Sequence, residues 1–214
     1  IIDPVDTPDG GNVGPHKHMS IAAKITRGCS GRPLIEWLRE IVGLKLLSET
    51  TIETIANSTK VLVNGAWVGT IQRPVEAVAL MREYRRSALL PVYTSVRWNI
   101  AAGEIQMCSD SGRLCRPIFY IDQGIPSYQN QAILDKIESN SFTWDQLVAG
   151  FANKKDPSFS VESCRLYSTA QELYGIKSLE TLKASRATIE YIDTGEEEGA
   201  LVATDSSDLS RKPY

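Results

Sequence analysis

Two stretches of the chain show the spacing of an amphipathic helix. Pro33 opens the first, and a proline fits the first turn of a helix because its missing N–H would have no intrahelical partner there. Gly43 marks the end of this pattern, so the predicted helix covers 33–43. Pro74 opens a second helix, predicted over 74–87. The apolar residues at helical spacing after Pro33 are Leu34, Trp37, Leu38, Ile41 and Leu44.

Residues 60–71, KVLVNGAWVGTI, predict a β-hairpin. Two β-prone runs flank the Asn-Gly dipeptide at 64–65, which accepts the positive φ angles of a two-residue type I′ turn. Alternating apolar and polar residues predict a meander of strands over 94–122, with a turn at the Asp-Ser-Gly of 110–112. Pro117 lacks an N–H, so we expect its strand to lie at an edge or to contain a bulge.

The C-terminal half mixes helix and strand signals, so the chain is predicted to be α+β, with short mixed sheets and hairpins packed against helices. Helices are expected at 130–138 and 143–151. The second follows a capping box, in which Thr143 and Gln146 satisfy each other's backbone amides. The other predicted features are a second capping box at 168–171 and strands at 188–193 and 200–204.

Composition limits the functions that the chain can have. Its 214 residues include 42% hydrophobic residues, which suffices for a packed core, and the formal net charge is −3. Residues 188–208 hold seven acids and no Lys or Arg. A basic nucleic-acid footprint is therefore absent, and we expect the isolated chain to bind DNA or RNA weakly. No apolar run approaches the roughly 18 residues of a membrane span, so no membrane partner is expected.

The cysteines and histidines indicate neither a disulfide scaffold nor a zinc site. None of the cysteines forms a closely spaced pair, as zinc ligands usually do, and His16 and His18 add only a weak HxH signal. We interpret the thiols as reduced, in an intracellular protein. A disulfide between Cys108 and Cys115, across the predicted turn at 110–112, is the alternative. The four cysteines are Cys29, Cys108, Cys115 and Cys164.

Two charged runs have both a functional and a plainer interpretation. Arg82, Arg85 and Arg86 could bind phosphate, but we favour a solvated helix end, where cations also complement the helix dipole. The three glutamates at 196–198 could bind a cation or a basic partner. For these we favour a solvated turn between two strands.

The loop at 6–18, DTPDGGNVGPHKH, is rich in glycine and proline and poor in apolar residues. Its glycines permit positive φ and a close approach to a ligand, and its two prolines stiffen the entry and exit. Exposed amides near Lys17 could meet phosphates. The plainer interpretation is a connector that only turns the chain. The donors and acceptors on this loop are Asp9, Asn12, His16 and Lys17.

No self-contained active site is recognisable. The chain has no GxSxG elbow and no Walker A loop, and its GGxxG at 10–14 is not the dinucleotide-binding GxGxxG. No pair of carboxylates stands out for metal-assisted chemistry. We therefore predict no catalytic residue and no metal ligand in this chain.

Five motifs, in the family's order, resemble the second-largest, β-like subunit of multisubunit DNA-dependent RNA polymerases. DTPDGGNVGPHKHMSI resembles the TPEG-type segment, which reads approximately TPEGxxxGLVKNLSL in cellular relatives. VNGAWVG resembles VNGxWxG, and MREYRRSALLP resembles LRxxRRxGxI. The stretch SDSGRLCRPIFYI resembles (T/S)DxGRxxRPLFIV, and GIKSLETLKASRATIEYIDTGEEEGALVA resembles LxxxGxVEYIDxxEEExxLIA.

This resemblance implies a fragment of a transcription enzyme, an expectation that the missing initiator Met also favours. The fragment alone should be inactive, because the family's Mg²⁺ is held mainly by the largest subunit. The implied partners are that subunit, smaller subunits, template DNA and RNA, in the cytoplasm or nucleus. The implied domains are the end of the fork at 1–44, external domain 1 at 45–122, external domain 2 at 123–204 and a polar tail at 205–214.

The resemblance also implies which residues lie near nucleic acid or nucleotide. In the family the TPEG segment lies in the fork, beside the active-centre cleft. The matching positions include Lys17, for which we predict a phosphate contact made through its charge. Asp9 stands where the family has Glu and reaches one methylene less far, which weakens any inherited contact. The expected nucleic-acid-proximal residues are Thr7, Pro8, Asp9, Gly10, Asn12, Gly14 and Lys17.

Further departures suggest a distant lineage. Pro15 stands where Leu is usual and His18 where Asn is usual, and residues 123–175 diverge from the family pattern. A large DNA virus of eukaryotes is the favoured source, which would place the protein in the host cytoplasm and the virion. A divergent eukaryotic or archaeal polymerase is the alternative.

Two other functions are weighed against the polymerase. The chain could be a free-standing interaction module that binds partners through an acidic 188–208 face, or a small nucleotide-binding enzyme built on the glycine loop. The second lacks any acid–base or metal constellation. Exposed apolar surface around Trp37 and Trp67 would favour the polymerase fragment, since a severed fragment exposes former interfaces.

Overall fold

A computed structural model describes residues 1–122, 124–129, 131–141, 143–150, 183 and 186–210. Helix α1 continues into a π-helical turn at Leu38–Val42, and short 3₁₀ turns lie at Gly10–Asn12, Leu47–Glu49 and Ser206–Ser210. The α-helices are α1 (Arg32–Trp37), α2 (Ile52–Ala56), α3 (Pro74–Arg86), α4 (Gln131–Glu138), α5 (Trp144–Ala149) and α6 (Thr194–Glu198).

Ten short strands, within the described part of the chain, form three sheets. One sheet has five strands in the order β2-β4-β3-β6-β5, one has three in the order β1-β7-β10, and the last pairs β8 with β9. Pairing is antiparallel except between β3 and β6. The strands are β1 (Lys24–Ile25), β2 (Lys45–Leu46), β3 (Thr59–Val63), β4 (Ala66–Ile71), β5 (Ser95–Asn99), β6 (Glu104–Cys108), β7 (Leu114–Phe119), β8 (Ile121–Asp122), β9 (Ile125–Pro126) and β10 (Ile189–Asp193). Helices and short mixed sheets confirm the α+β class.

The strongest local predictions are confirmed. Strands β3 and β4 form the expected hairpin, with φ angles of 50° at Asn64 and 81° at Gly65, as a type I′ turn requires. The helix predicted over 33–43 is α1 and its π-helical turn. It ends where Gly43 adopts a φ of 84° and Leu44 N–H donates to the Leu38 carbonyl. Helix α3 covers almost the whole of the predicted 74–87.

The main core lies between the five-stranded sheet and the helices α1 and α3. Trp37 is fully buried in it and packs against Tyr84, with 4.7 Å between the ring centroids. Trp37 therefore does not supply the exposed apolar surface that would have favoured a polymerase fragment, because its amphipathic helix already has a partner in this chain. Trp67 is 39% exposed. Other residues at the centre of this core are Leu38, Val61, Met81, Ile105 and Met107.

The predicted meander over 94–122 is wrong at its last strand. Strands β5 and β6 pair, but β7 leaves them and pairs with β1 and β10. A second core explains the change, because Cys115 on β7 packs with Ile189 and Tyr191 of β10 and with Val148 of α5. β1 pairs only with Leu114 and Cys115, so β7 has a single paired side at Pro117, as expected for an edge position.

The C-terminal predictions are confirmed in part. Helix α4 and strand β10 form as predicted, and Thr143 N–H donates to Gln146 Oε1 at 3.1 Å in front of α5. Residues 200–204 form no strand, and the predicted turn before them is helix α6. Capping explains the difference, since Asp193 Oδ1 accepts from Glu196 N–H at 2.8 Å and starts a helix. The capping box predicted at 168–171 lies outside the described residues.

The three described cysteines are free. Cys29 and Cys108 are half-buried and Cys115 is buried, so the alternative of a Cys108–Cys115 disulfide is wrong. The departure of β7 into another sheet removes the hairpin that would have brought the two thiols together. Burial raises the pKa of the Cys115 thiol to about 11, which makes it unreactive at neutral pH.

Candidate nucleic-acid interface

Residues 1–20 form a loop whose two ends are held together by the backbone. Asp3 N–H donates to the His18 carbonyl at 2.9 Å, and His18 N–H donates to the Asp6 carbonyl at 3.2 Å. Ser20 N–H donates to the Ile1 carbonyl at 2.9 Å. The loop therefore has a defined shape without a hydrophobic core of its own.

Thr7 connects the two sides of this loop through its hydroxyl. Thr7 Oγ1 donates to the His16 carbonyl at 2.8 Å and accepts from Gly14 N–H at 3.1 Å. His16 N–H also donates to the Asn12 carbonyl at 3.4 Å. The structure thus brings together Thr7, Asn12 and Gly14, three of the residues that the sequence predicts to lie near nucleic acid.

Gly10 and Gly14 meet a conformational requirement of this loop. Their φ angles are +84° and +91°, in the left-handed region that favours glycine. A Cβ atom at either position, or at Gly11, would meet no atom of the described chain within 4 Å. These glycines therefore leave their outer face open, as the predicted approach of a ligand requires.

Four polar residues of the loop, Asp9, Asn12, His16 and Lys17, are exposed. Lys17 is exposed and forms no ion pair with any described residue. Asp9 precedes the Gly10–Asn12 turn without capping it through its side chain, and Pro8 is half-buried. The loop and its continuation also expose large apolar side chains, namely Ile2, Val5, Val13, Met19 and Ile21.

Arg85 and Arg86 at the end of α3 do not form a phosphate-binding patch, and they are not solvated either. Arg85 has 1% of its side chain exposed and donates to Glu196 at 2.6 and 2.9 Å and to Glu190 at 3.1 Å. Arg86 donates to both oxygens of Glu190, and its guanidinium lies 3.8 Å from the centre of the Tyr120 ring. Both interpretations are therefore wrong for Arg85 and Arg86, while Arg82 is 38% exposed.

These buried charges are held in their ionised forms. Burial alone would raise the pKa of Glu190, but Arg85 and Arg86 outweigh that effect and lower it to about 2. Burial alone would lower the pKa of Arg85, and here Glu196 and Glu190 raise it instead. Glu196 also accepts from Val96 N–H at 3.1 Å, so it joins α3, α6 and β5.

The acidic run at 196–198 is likewise paired within the chain. Arg116 donates to both oxygens of Glu197, and Arg97 donates to Glu198 at 2.8 Å. The favoured interpretation as a solvated turn is therefore wrong, and the basic partner of this run belongs to the same chain. Just before the run, Arg113 donates to Asp193 Oδ2 at 2.7 Å.

Single-sequence reasoning missed these pairs because the partners lie 80 to 111 positions apart. A signal for them was present nevertheless. Residues 188–208 hold seven acids and no Lys or Arg, while the earlier part of the chain carries the arginine-rich motifs at 82–86 and 113–116. A segment of one charge that reads as a buried strand requires opposite charges nearby.

Among the described residues, no group of three or more His, Cys, Asp or Glu side chains could hold a metal ion. The buried acids Glu190, Asp193 and Glu196 are bound to arginines. These residues therefore do not fit a Mg²⁺ site. Within the same part of the chain, no helix is long and apolar enough to cross a membrane.

Comparisons with known proteins agree with the motifs. A family model described as RNA polymerase Rpb2, domain 4, matches residues 61–122. The chain is 28% identical to RNA polymerase II subunit RPB2 of Schizosaccharomyces pombe over 98% of this chain and 16% of that protein. It is 34% identical to the corresponding subunit of Encephalitozoon cuniculi over 71% of this chain and 13% of that protein.

The similarity extends to RNA polymerase subunit Rpo2 of Saccharolobus shibatae, at 26% identity over 97% of this chain and 16% of that protein. The chain therefore spans between 13 and 16% of the length of these relatives. The hairpin that the family model matches is β3–β4, and the arginines of the motif SDSGRLCRP bind the acids of IEYIDTGEEE. The chain belongs to the family of second-largest subunits of DNA-directed RNA polymerases, and it corresponds to a fragment of such a subunit.

Proposed function

We propose that this chain is a nucleic-acid-positioning part of a DNA-directed RNA polymerase, and that it contributes to RNA synthesis only within the assembled enzyme. The observation that carries the proposal is the state of the loop at 6–18. It is exposed and internally fixed, and its Lys17 has no ion pair among the described residues. The arginines of the later motifs, in contrast, bind acids of this chain.

In this proposal, Lys17 contacts phosphate oxygens of nucleic acid or of an incoming nucleotide. An exposed ammonium group interacts with phosphate as a point charge and releases a counterion, so its contribution decreases as salt increases. The neighbouring residues shape the loop, and no residue of this chain takes part in proton transfer or metal binding. The Mg²⁺ of the reaction is held mainly by the largest subunit.

The domain assignment stays a proposal. The loop at 6–18 belongs to the end of the fork at 1–44, followed by external domain 1 at 45–122 and external domain 2 at 123–204. The strands of the five-stranded sheet, β2 to β6, all lie within the proposed external domain 1. The partners are the largest subunit, smaller subunits, template DNA and RNA, in the nucleus or cytoplasm.

A large DNA virus remains our favoured source. Identities of 26 to 34% to cellular relatives and the departures at Asp9, Pro15 and His18 support a divergent lineage. A host-cytoplasmic and virion location follows from that source. Detection of the peptide VLVNGAWVGTIQR in purified virions would support this origin, and its detection in uninfected cells would contradict it.

A free-standing interaction module is less well supported, because its acidic face is largely neutralised. Five of the seven acids at 188–208 bind arginines of this chain, namely Glu190, Asp193, Glu196, Glu197 and Glu198. Capture of the native polypeptide decides between the two functions. A product several times larger than 23.6 kDa, bound to a still larger subunit, is expected for a polymerase, and a free 23.6 kDa protein for a module.

The direct test replaces Lys17 in the assembled enzyme and measures its affinity for an RNA–DNA template–primer scaffold and the KM for nucleotide at several salt concentrations. We expect Lys17→Ala either to weaken the affinity for the scaffold or to raise the KM for nucleotide. If the scaffold carries the phosphate, the slope of log affinity against log salt should fall by roughly 0.7 to 0.9. Lys17→Arg should preserve both values, because it keeps the charge.

Lys45→Ala is the matched control. Lys45 is exposed at the start of β2 and, like Lys17, forms no ion pair with a described residue. Affinity, KM and salt slope should then equal those of the parent enzyme. If Lys17→Ala and Lys45→Ala behaved alike, the proposed contact between Lys17 and phosphate would be contradicted.

A further inference from the structure

Thr7 makes hydrogen bonds that a threonine on a surface loop does not usually make. A threonine on a surface loop usually hydrogen-bonds water or a neighbouring amide. Here Oγ1 instead bridges positions seven and nine residues further along the chain, as an acceptor from Gly14 N–H and a donor to the His16 carbonyl. Both the donor and the acceptor capacity of the hydroxyl are used.

One of these bonds holds the His16 carbonyl, directly before Lys17, and the other holds the amide of Gly14, three positions before Lys17. On the other side, His18 is held by its N–H to the Asp6 carbonyl and by its carbonyl to Asp3 N–H. The backbone of Lys17 is therefore anchored at both neighbours, although its own side chain is exposed. The Thr7 side chain supplies the bond to the His16 carbonyl, whereas the two hydrogen bonds at His18 join backbone atoms.

We propose that Thr7 is a positioning residue that fixes the direction in which the loop presents Lys17 to a phosphate group. This inference rests on the proposed function of Lys17. Thr7 itself does not touch the nucleic acid; it acts by lowering the conformational freedom that Lys17 would lose on binding.

The chemistry of Thr7 defines the variants. Thr7→Val keeps the shape and removes both hydrogen bonds, and Thr7→Ser keeps the hydroxyl. We expect Thr7→Val to weaken scaffold affinity, or to raise the KM for nucleotide, by roughly five- to tenfold. A change in scaffold affinity would assign the phosphate to nucleic acid, and a change in KM would assign it to the nucleotide. Thr7→Ser should stay within about twofold of the parent.

A double-mutant cycle separates positioning from a general structural role. If Thr7 acts through Lys17, Thr7→Val changes affinity by less than about twofold in a Lys17→Ala enzyme. It also lowers the salt slope in the parent background, because the charge is no longer held at the phosphate. A merely structural role would reduce the amount of active enzyme and leave the salt slope unchanged.

The outcomes distinguish this inference from the function on which it rests. If Lys17→Ala has no effect, the role of Lys17 fails and the inference fails with it. If Lys17→Ala weakens binding, the role of Lys17 stands, and three results would then contradict the inference alone. Thr7→Val could leave binding unchanged, it could weaken binding by the same factor with and without Lys17→Ala, or Thr7→Ser could fail to restore binding.

A measurement on the 214-residue chain covers the case in which Thr7→Val does not assemble. Amide hydrogen exchange should become faster at Gly14 in Thr7→Val, because its N–H loses its acceptor, and stay at the parent rate in Thr7→Ser. Thr7→Ala removes the same two bonds with a smaller side chain and should show the same acceleration. Unchanged exchange in both substitutions would overturn the inference.

Discussion

Arg85 carries its charge in the interior of the chain, with 1% of its side chain exposed. Removing a guanidinium from water is unfavourable unless several hydrogen bonds and opposite charges replace the water. Glu190, Glu196 and the Thr94 carbonyl supply them. The residue therefore holds together elements that are far apart in the sequence, and its contribution depends on both acids being present.

We predict that Arg85→Met lowers the free energy of unfolding by about 3–5 kcal/mol, because it leaves Glu196 buried without its main partner and removes one of the two arginines that bind Glu190. Urea denaturation at pH 7 measures the change. Arg73→Met is the matched control, since Arg73 pairs with Glu76 while 79% and 71% of their side chains are exposed. That change should stay below about 0.5 kcal/mol. Similar losses in both variants would contradict the special role of Arg85.

At the residue scale the sequence indicated which positions are charged but not which are buried. The last five residues of α3 include Arg82, Arg85 and Arg86, and their residue type alone does not distinguish them. Their exposure differs because α6 and β10 cover Arg85 and Arg86, whereas Arg82 stays 38% exposed. Burial of a charged residue is decided by elements that the local sequence does not contain.

Among the elements, the β3–β4 hairpin shows how local signals and packing combine. Asn64 and Gly65 determine the turn, as the sequence predicts. A bulge between Val61 and Leu62 then shifts the register, so that Gly69 faces Val61 on one side and Leu46 of β2 on the other. A third strand thus comes close to β4 at a glycine.

We predict that Gly69→Ala destabilises the chain by at least about 2 kcal/mol, because its Cβ would overlap the Lys45 carbonyl oxygen, and a backbone atom cannot move aside easily. Gly11→Ala is the control, since a Cβ there meets no atom of the described chain within 4 Å. It should change stability by less than about 0.5 kcal/mol. Thermal unfolding of both variants provides the comparison, and an unaffected Gly69→Ala would show that β2 does not pack against β4.

Element boundaries followed from short-range chemistry wherever that chemistry was complete. Pro74 begins α3 and Gly43 ends the α1 segment because both depend on neighbours within one turn. The prediction failed around α6, where a turn followed by a strand at 200–204 was expected. There the Asp193 carboxylate caps a helix at the N–H of Glu196, and Glu196 is held by Arg85.

For the molecule as a whole, the acidic C-terminal segment and the arginine motifs behave as complementary parts. Three arginines bind acids that lie 80 to 101 positions later in the sequence. The pairs are Arg113 with Asp193, Arg116 with Glu197, and Arg97 with Glu198. These pairs join β7, β5 and α6 across both cores. The stability of the molecule should therefore depend on the ionisation of its acids.

The sign of that dependence follows from Glu190. Its pKa is lowered from 4.5 to about 2 in the folded chain, so its contribution is complete above the unfolded value and is lost as pH falls through the folded value. We predict that the free energy of unfolding decreases between about pH 5 and pH 2, by up to about 3 kcal/mol from this residue alone. The lowered pKa values of Asp193 and Asp122 act in the same direction.

Denaturation of the parent chain and of Glu190→Gln across this pH range tests the assignment. Glu190→Gln should be less stable at pH 7, and the difference should shrink as pH approaches 2, because the parent then becomes protonated at the same position. Glu198→Gln is the control, as Glu198 is 68% exposed, and its curve should follow that of the parent. A constant difference at all pH values would contradict the lowered pKa.

The amino-acid sequence by itself determined the local features of this protein. The hairpin turn, the two principal helices, the capping of α5 and the family motifs all depend on residues within a few positions of each other. It also determined the composition of the loop at 6–18, including its glycines and Lys17.

Only the tertiary structure decided which charges are available to a ligand. It moved β7 into another sheet, buried Trp37 and Arg85, and matched each arginine motif with acids about 100 positions away. It also showed that Thr7 holds the backbone next to Lys17. The physical reason is that an ion pair or a sheet partner is chosen by distance in space, which local periodicity does not encode.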